Sequence, residues 1–206
     1  MVIIIDYGMG NLKNVYNALN YLNIPSKISQ DINEIKNAEK LILPGVGAFK
    51  AAMKNLNDLK LDELIKEKAN NGTPLLGICL GMQMLFEKSY ENGESNGLNL
   101  INGEVKLLKP KDKAKIPHIG WNRLEINKDS ILLSNLNKES FVYYVHSFAV
   151  SNIKDENLIA FSNYGGIEVP GIVYKNNIYG TQFHPEKSGE IGLRILKNFG
   201  EMIIWL

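Results

Sequence analysis

Cysteine is almost missing from this chain: Cys79 is the only one in 206 residues. An intrachain disulfide is therefore impossible, and with it a secreted disulfide scaffold. Charge imbalance is missing too. Against 22 acidic residues stand 23 basic ones, a formal net charge of +1, so neither nucleic acid nor an anionic membrane is expected as a partner. No apolar run is long enough to span a bilayer, and Met1-Val-Ile-Ile-Ile5 reaches Asp6 too soon to serve as the hydrophobic part of a signal peptide. Histidine is scarce as well: His118, His146 and His184 are scattered and fit no zinc spacing. These absences predict a soluble, cytoplasmic protein with no metal, no cofactor, no membrane and no nucleic acid.

What is present is an ordinary globular composition, 45% hydrophobic and 22% charged, enough to bury a core. Strand-like and helix-like segments alternate. Val2 to Ile5 is a β-branched run of the kind buried on both faces. Leu12, Val15, Tyr16, Leu19 and Leu22 recur at helical spacing, and Pro25 stops that helix. Lys40 to Leu43 is a second apolar strand, broken by Pro44-Gly45-Val46-Gly47. Helical periodicity returns at Phe49, Ala52, Met53 and Leu56, then at Leu61, Leu64, Ile65 and Ala69. Leu75 to Ile78 is a third buried strand, and Gln83, Met84 and Phe86 are placed on a helix after it.

Glu91 to Asn99, rich in Gly, Asn and Ser, and Lys109 to Lys113 read as surface turns. Short strands follow near 103–108, 121–126, 141–146, 158–162, 168–174 and 178–183. A last helix starts near Ser188, a plausible N-cap, with Ile191, Ile195, Leu196, Phe199, Met202 and Ile203 on one stripe. The pattern predicts an α/β fold in one three-layer domain, 1–206: a mainly parallel central sheet with antiparallel edge strands.

Two segments carry chemistry. Leu75-Leu-Gly-Ile-Cys-Leu-Gly81 ends an apolar strand in Gly-x-Cys-x-Gly, the cysteine form of the elbow that lifts a nucleophile out of an α/β sheet. A thiol of pKa ~8.5 needs a cation or a helix N-terminus to ionise at neutral pH. The elbow puts Cys79 where a helix starting near Leu80 turns its free N–H groups toward the sulfur. Gln182-Phe-His-Pro-Glu186 supplies an imidazole and a carboxylate. His184 precedes proline and is biased to extended backbone, so His184 and Glu186 are expected on one face. The carboxylate then fixes the tautomer and frees the other nitrogen for the sulfur. His118 and His146 are rivals for the base, better read as structural or binding residues. A buried structural cysteine is the plain alternative for Cys79.

The same residues sit within a longer set of blocks: Asp6-Tyr-Gly-Met-Gly-Asn11, Leu43-Pro-Gly-Val-Gly-Ala-Phe49, Gly77-Ile-Cys-Leu-Gly-Met-Gln83, Pro117-His-Ile-Gly-Trp-Asn122, Tyr144-Val-His-Ser147 and Gln182-Phe-His-Pro-Glu-Lys-Ser188. In that order they resemble the class I (triad-type) glutamine amidotransferases over nearly the whole chain. The resemblance implies a flavodoxin-like amidotransferase fold, with Cys79 as nucleophile, His184 as general base and acid, and Glu186 as its orienter. It implies an oxyanion hole from the backbone of Leu80 and of Val46 or Gly47, in a loop whose glycines would let a peptide flip. L-glutamine would be held by Gln83, one helical turn after Cys79, and by Val145, His146, Ser147 and Phe148. A solvent-facing Gln83 is the plain alternative.

Ammonia in neutral water is mostly protonated, so it must be handed on in shelter, and this chain has no second catalytic domain. The resemblance implies a heterodimer with a (β/α)8-barrel cyclase subunit in histidine biosynthesis, faced by His118, Trp121 and Lys187. The alternative is a related glutaminase feeding another synthase, such as one that aminates nucleotide sugars. Gly8-Met-Gly10 lacks the third glycine of a dinucleotide loop, since position 13 is Lys, and no nucleotide is expected.

Overall fold

A computed structural model of the chain describes residues 1–136 and 140–202. Its first half is a β/α alternation: β1 (Val2–Ile5), α1 (Leu12–Tyr21), β2 (Ser26–Ser29), α2 (Ile32–Lys36), β3 (Lys40–Gly45), α3 (Phe49–Asp58), α4 (Leu61–Asn70), β4 (Leu75–Cys79) and α5 (Leu80–Met84). Every residue of β1, β3 and β4 is buried, as their unbroken apolar runs predict. Alternate side chains go to opposite faces. Ile3, Ile5, Leu41 and Leu43 pack with Phe49, Leu56 and Leu64 of α3 and α4. Val2, Ile4 and Ile42 pack with Val15 and Leu19 of α1 and with Ile195, Leu196 and Phe199 of the last helix, α6 (Gly189–Glu201). These are the three layers.

The second half is mostly strand: β5 (Phe86–Ser89), β6 (Ser95–Asn96), β7 (Ile101–Leu107), β8 (His118–Ile126), β9 (Ser140–His146), β10 (Phe148–Ser151), β11 (Leu158–Tyr164), β12 (Ile167–Lys175) and β13 (Ile178–Thr181). Among the described residues the main sheet has nine strands in the order β2-β1-β3-β4-β13-β12-β11-β8-β9. Pairing is parallel from β2 to β13 and antiparallel from β13 to β9.

Several expectations need correction. The sheet is mixed in equal halves. β13 is no edge addition: it pairs parallel with β4 in the middle. β7 belongs instead to a separate four-stranded sheet with β5, β6 and β10. Phe86 is not helical; α5 stops at Met84 and Phe86 opens β5. β2 has no apolar run to mark it in the sequence: Ser-Lys-Ile-Ser is a half-exposed sheet edge. Ser188 stands at the α6 N-cap but does not cap it. Its hydroxyl donates to the His184 carbonyl at 2.7 Å and accepts from the Tyr143 N–H at 3.0 Å. Of the α6 stripe, Met202 lies just past the helix end, and Ile203 lies outside the described residues. Among the described residues no helix is long and apolar enough to cross a membrane.

Candidate active site

The site is built where the parallel half of the sheet meets the antiparallel half. β4 ends at Cys79, whose backbone is left-handed at φ 56°, ψ −111°. This is a sparsely populated conformation, costing roughly 1–3 kcal/mol and sustained only by tight surroundings. The surroundings are tight. A Cβ on Gly81 would lie 1.8 Å from the Leu43 carbonyl oxygen, and one on Gly77 would lie 2.7 Å from the Gly81 oxygen and from Met82. Both flanking glycines are therefore dictated by close approach of backbone. β3 runs alongside in register, Gly45 opposite Cys79, so the Val46–Gly47 loop leaves the sheet beside the sulfur. Gly47 holds φ +97°. The Tyr7 hydroxyl donates to the Pro44 carbonyl at 2.8 Å and pins the start of that loop.

His184 arrives on the chain after β13 with extended backbone (φ −93°, ψ 98°). Its N–H donates to the Tyr143 carbonyl at 3.1 Å, and its Nδ1 lies 2.8 Å from Glu186 Oε1. The period-two argument for Glu186 does not hold, because Pro185–Lys187 is a 3-10 turn; that turn swings the carboxylate back under the ring. His184 is 2% exposed, and its Nε2 and Glu186 Oε2 make no hydrogen bond. Burial works against charging this imidazole, but Cys79 and then Glu186 outweigh it and push the pKa up to about 10. His184 Nε2 stays without a partner in hydrogen-bond geometry, and His184 lines the same cavity as Cys79.

Cys79, Leu80, His184, Val46, Gly47, Gln83, Val145, His146, Ser147 and Phe148 all line one cavity of about 390 Å³, so ten of the expected residues meet there. Gln83 is buried, not solvent-facing. Its Nε2 donates to the Phe148 carbonyl at 2.8 Å and to Gln182 Oε1 at 3.0 Å. Three expected interface residues lie apart from the cavity. Trp121 is 57% exposed and Lys187 is exposed. His118 must be corrected: it is 2% exposed, stacked between Tyr144 and Tyr164, and cannot itself present a docking surface.

Three residues were not anticipated. Pro117 lines the cavity, and so does Glu91, the lining's one carboxylate. Glu91 Oε2 accepts the Phe49 N–H at 2.7 Å and so caps α3, whose own N-cap, Ala48, has no side chain to do it. Gln182 lies fully buried beside Cys79. Its signal was its place two residues before His184 in the Gln-Phe-His-Pro-Glu segment.

A strained cysteine at the end of a parallel strand, with an imidazole–carboxylate pair opening into the same cavity, is the arrangement of a cysteine acyl transferase. A family model described as glutamine amidotransferase class-I matches residues 3–202, and the chain belongs to that family. Among its relatives, imidazole glycerol phosphate synthase subunit HisH of Oceanobacillus iheyensis is 49% identical over 203 residues, covering 98% of this chain and all of the relative. The protein of the same name from Caldanaerobacter subterraneus is 52% identical, covering 98% of each. Solved structures share the fold: one described as a glutamine amidotransferase aligns over 97% of this chain and 100% of its own at TM-score 0.75 and 18% identity. The PurLQS structure from Thermotoga maritima aligns over 96% of both at 0.72 and 21%.

Proposed function

We propose that this chain is the glutaminase subunit of imidazole glycerol phosphate synthase, releasing ammonia from L-glutamine through a Cys79–His184–Glu186 triad for histidine biosynthesis. The observation that carries the triad is the orphaned His184 Nε2, buried in the cavity that Cys79 lines while Nδ1 is tied to Glu186. The Cys79 thiolate attacks the side-chain amide carbon of glutamine and the carbonyl oxygen takes the negative charge. Backbone N–H groups of Leu80 and of Val46 or Gly47 stabilise that oxyanion; losing one such donor typically costs about 3–4 kcal/mol. Protonated His184 gives its proton to the nitrogen, the C–N bond breaks, and ammonia leaves. His184 then takes a proton from water, which hydrolyses the γ-glutamyl thioester to glutamate and restores the sulfur.

The α-amino and α-carboxylate end of glutamine is assigned to the far wall, Gln83 with Val145, His146, Ser147 and Phe148. Glu91, the cavity's carboxylate, suits the α-ammonium. We assign Trp121 and Lys187 to a (β/α)8-barrel cyclase partner in a cytoplasmic heterodimer. In support, β8 and β9 turn Ile119, Trp121, Phe141 and Val145 outward on one face, an apolar stripe of the kind a partner covers. Val145 carries that stripe to the cavity.

Purified chain, assayed for glutamate with and without the cyclase barrel, tests the reading. Glutamate release should rise with that barrel and not with one that aminates nucleotide sugars. Equal turnover alone and with either barrel would refute it.

A further inference from the structure

Gln182 has no part in the mechanism above, yet it is the residue whose side chain meets the sulfur. Its Nε2 lies 3.9 Å from Cys79 Sγ, within reach for a sulfur acceptor. Two backbone carbonyls, which only accept, fix the hydrogens around it. The Phe148 carbonyl is approached by Gln83 Nε2 and by His146 Nδ1, each at 2.8 Å. Gln83 must therefore turn its nitrogen inward, and that nitrogen also meets Gln182 at 3.0 Å. Gln182 has to answer with its oxygen, which leaves its own N–H groups for the sulfur.

The other branch is as constrained. With its proton on Nδ1, a neutral His146 accepts at Nε2, so His118 Nδ1, 3.0 Å away, is the donor. The two rings meet because His118 and His146 are directly opposite across the β8–β9 ladder. His118 Nε2 then accepts from Asn122 Nδ2 at 3.3 Å, and the same Asn122 nitrogen donates to the Asn163 carbonyl at 2.9 Å. Each donor and acceptor has one consistent assignment from Asn122 to Cys79.

We infer that Gln182 is a positioning residue for the Cys79 sulfur, donating to it from a carboxamide locked by a chain through Gln83, the Phe148 carbonyl, His146, His118 and Asn122. The chain requires both imidazoles to be neutral. Burial supplies that condition, lowering His118 to about 4 and His146 to about 3. An N–H aimed at the sulfur favours it more as thiolate than as thiol, since hydrogen bonds to ionised acceptors are the stronger. The far end of the chain is one residue from exposed Trp121, so β8 is tied to the nucleophile through a hydrogen-bonded path with a single backbone link, the Phe148 carbonyl. The inference deepens the proposed function but does not require it, because sulfur reactivity can be read without glutamine.

Cys79 being the sole cysteine, iodoacetamide alkylation of the intact chain at pH 7 reports on it alone. Gln182→Met keeps the volume and removes the donor; the rate should fall roughly tenfold, the scale of a lost hydrogen bond to a charged group. Gln182→Glu can still accept from Gln83 but sets a carboxylate against the sulfur, and should be slower still. A purely structural role predicts no such order: alkylation of Gln182→Met at the native rate, or Gln182→Glu faster than Gln182→Met, overturns the inference. The native chain offers a second readout whether or not the variants fold. With only three histidines, 15N spectra should show His118 and His146 neutral and protonated on Nδ1 at pH 7. A charged ring or an Nε2-protonated one at either position also overturns it. A chain that alkylates as described but does not hydrolyse glutamine would refute the proposed function and leave Gln182 in place.

Discussion

The two halves of the main sheet are built to different tolerances. Between β1 and β4 the strands are buried on both faces, and the chain turns at Cys79 with carbonyls close enough to forbid any side chain at Gly77 and Gly81. The β8–β9 hairpin at the other end alternates: His118, Leu124, Val142, Tyr144 and His146 point in, while Ile119, Trp121, Phe141 and Val145 point out. One half fixes the nucleophile by steric exclusion. The other lends one face to a polar network and leaves the second exposed. The lesson is that rigidity and exposure are separated here: the sulfur's position comes from backbone crowding, the face proposed for docking from strands whose outer side chains stay exposed.

Substitutions should expose that division, the largest effect coming at the sulfur. Cys79→Ala should lower glutamine-dependent synthesis by the complex on the order of 10⁴-fold or more, the scale of losing a nucleophile, while ammonia-dependent synthesis persists. Parallel rate measurements with the two nitrogen sources check this, and equal loss of both would break the division between halves. Gly81→Ala should destabilise the chain by about 3 kcal/mol or more in urea denaturation, because its Cβ would sit 1.8 Å from the Leu43 oxygen. An unchanged midpoint would show that the elbow has room to relax.

The halves should also fail at opposite ends of the pH scale. His184 is raised from 6.5 to about 10, so between those values the native state holds more protons than the unfolded chain. Its stabilisation is complete below about pH 6.5 and is lost as pH rises through about 10. His118 and His146 are lowered to about 4 and about 3. Their contribution is complete above about 6.5 and is lost as pH falls through those values. Denaturation midpoints across pH should therefore flatten on the alkaline side in Cys79→Ala and on the acid side in His118→Phe. The smallest effect belongs to the exposed face: Trp121→Ala should change stability by less than about 0.5 kcal/mol and weaken cyclase binding roughly tenfold. A large stability loss there would mean that the face is not free.

How legible each half was in the sequence follows from the same contrast. β1, β3 and β4 are continuous apolar runs, and the glycines around Cys79 mark crowding that only glycine tolerates, so the elbow, its strand and its loop could be read locally. β2 could not, because a polar edge strand is held by its neighbour and not by its own composition. Phe86 reads as helical because one apolar residue at helical spacing cannot say that α5 ends at Met84, where pairing with β7 takes over. Asn99, at the end of the turn read from Glu91, holds φ 54°, a left-handed conformation that Asn tolerates. The contact of His118 with His146, the capping of α3 by Glu91 and the approach of Gln182 to sulfur depend on partners between 28 and 103 residues away. No periodicity encodes such distances.

The central claim is that Cys79 takes the γ-glutamyl group. The direct test is to treat the chain, in complex with the proposed cyclase partner, with a diazo-ketone analogue of glutamine and map the covalent label by peptide mass spectrometry. A single label on Cys79, prevented by excess glutamine and absent from Cys79→Ala, is the predicted result. Label on another residue, or continued glutamate production by a chain whose Cys79 is fully modified, would contradict it.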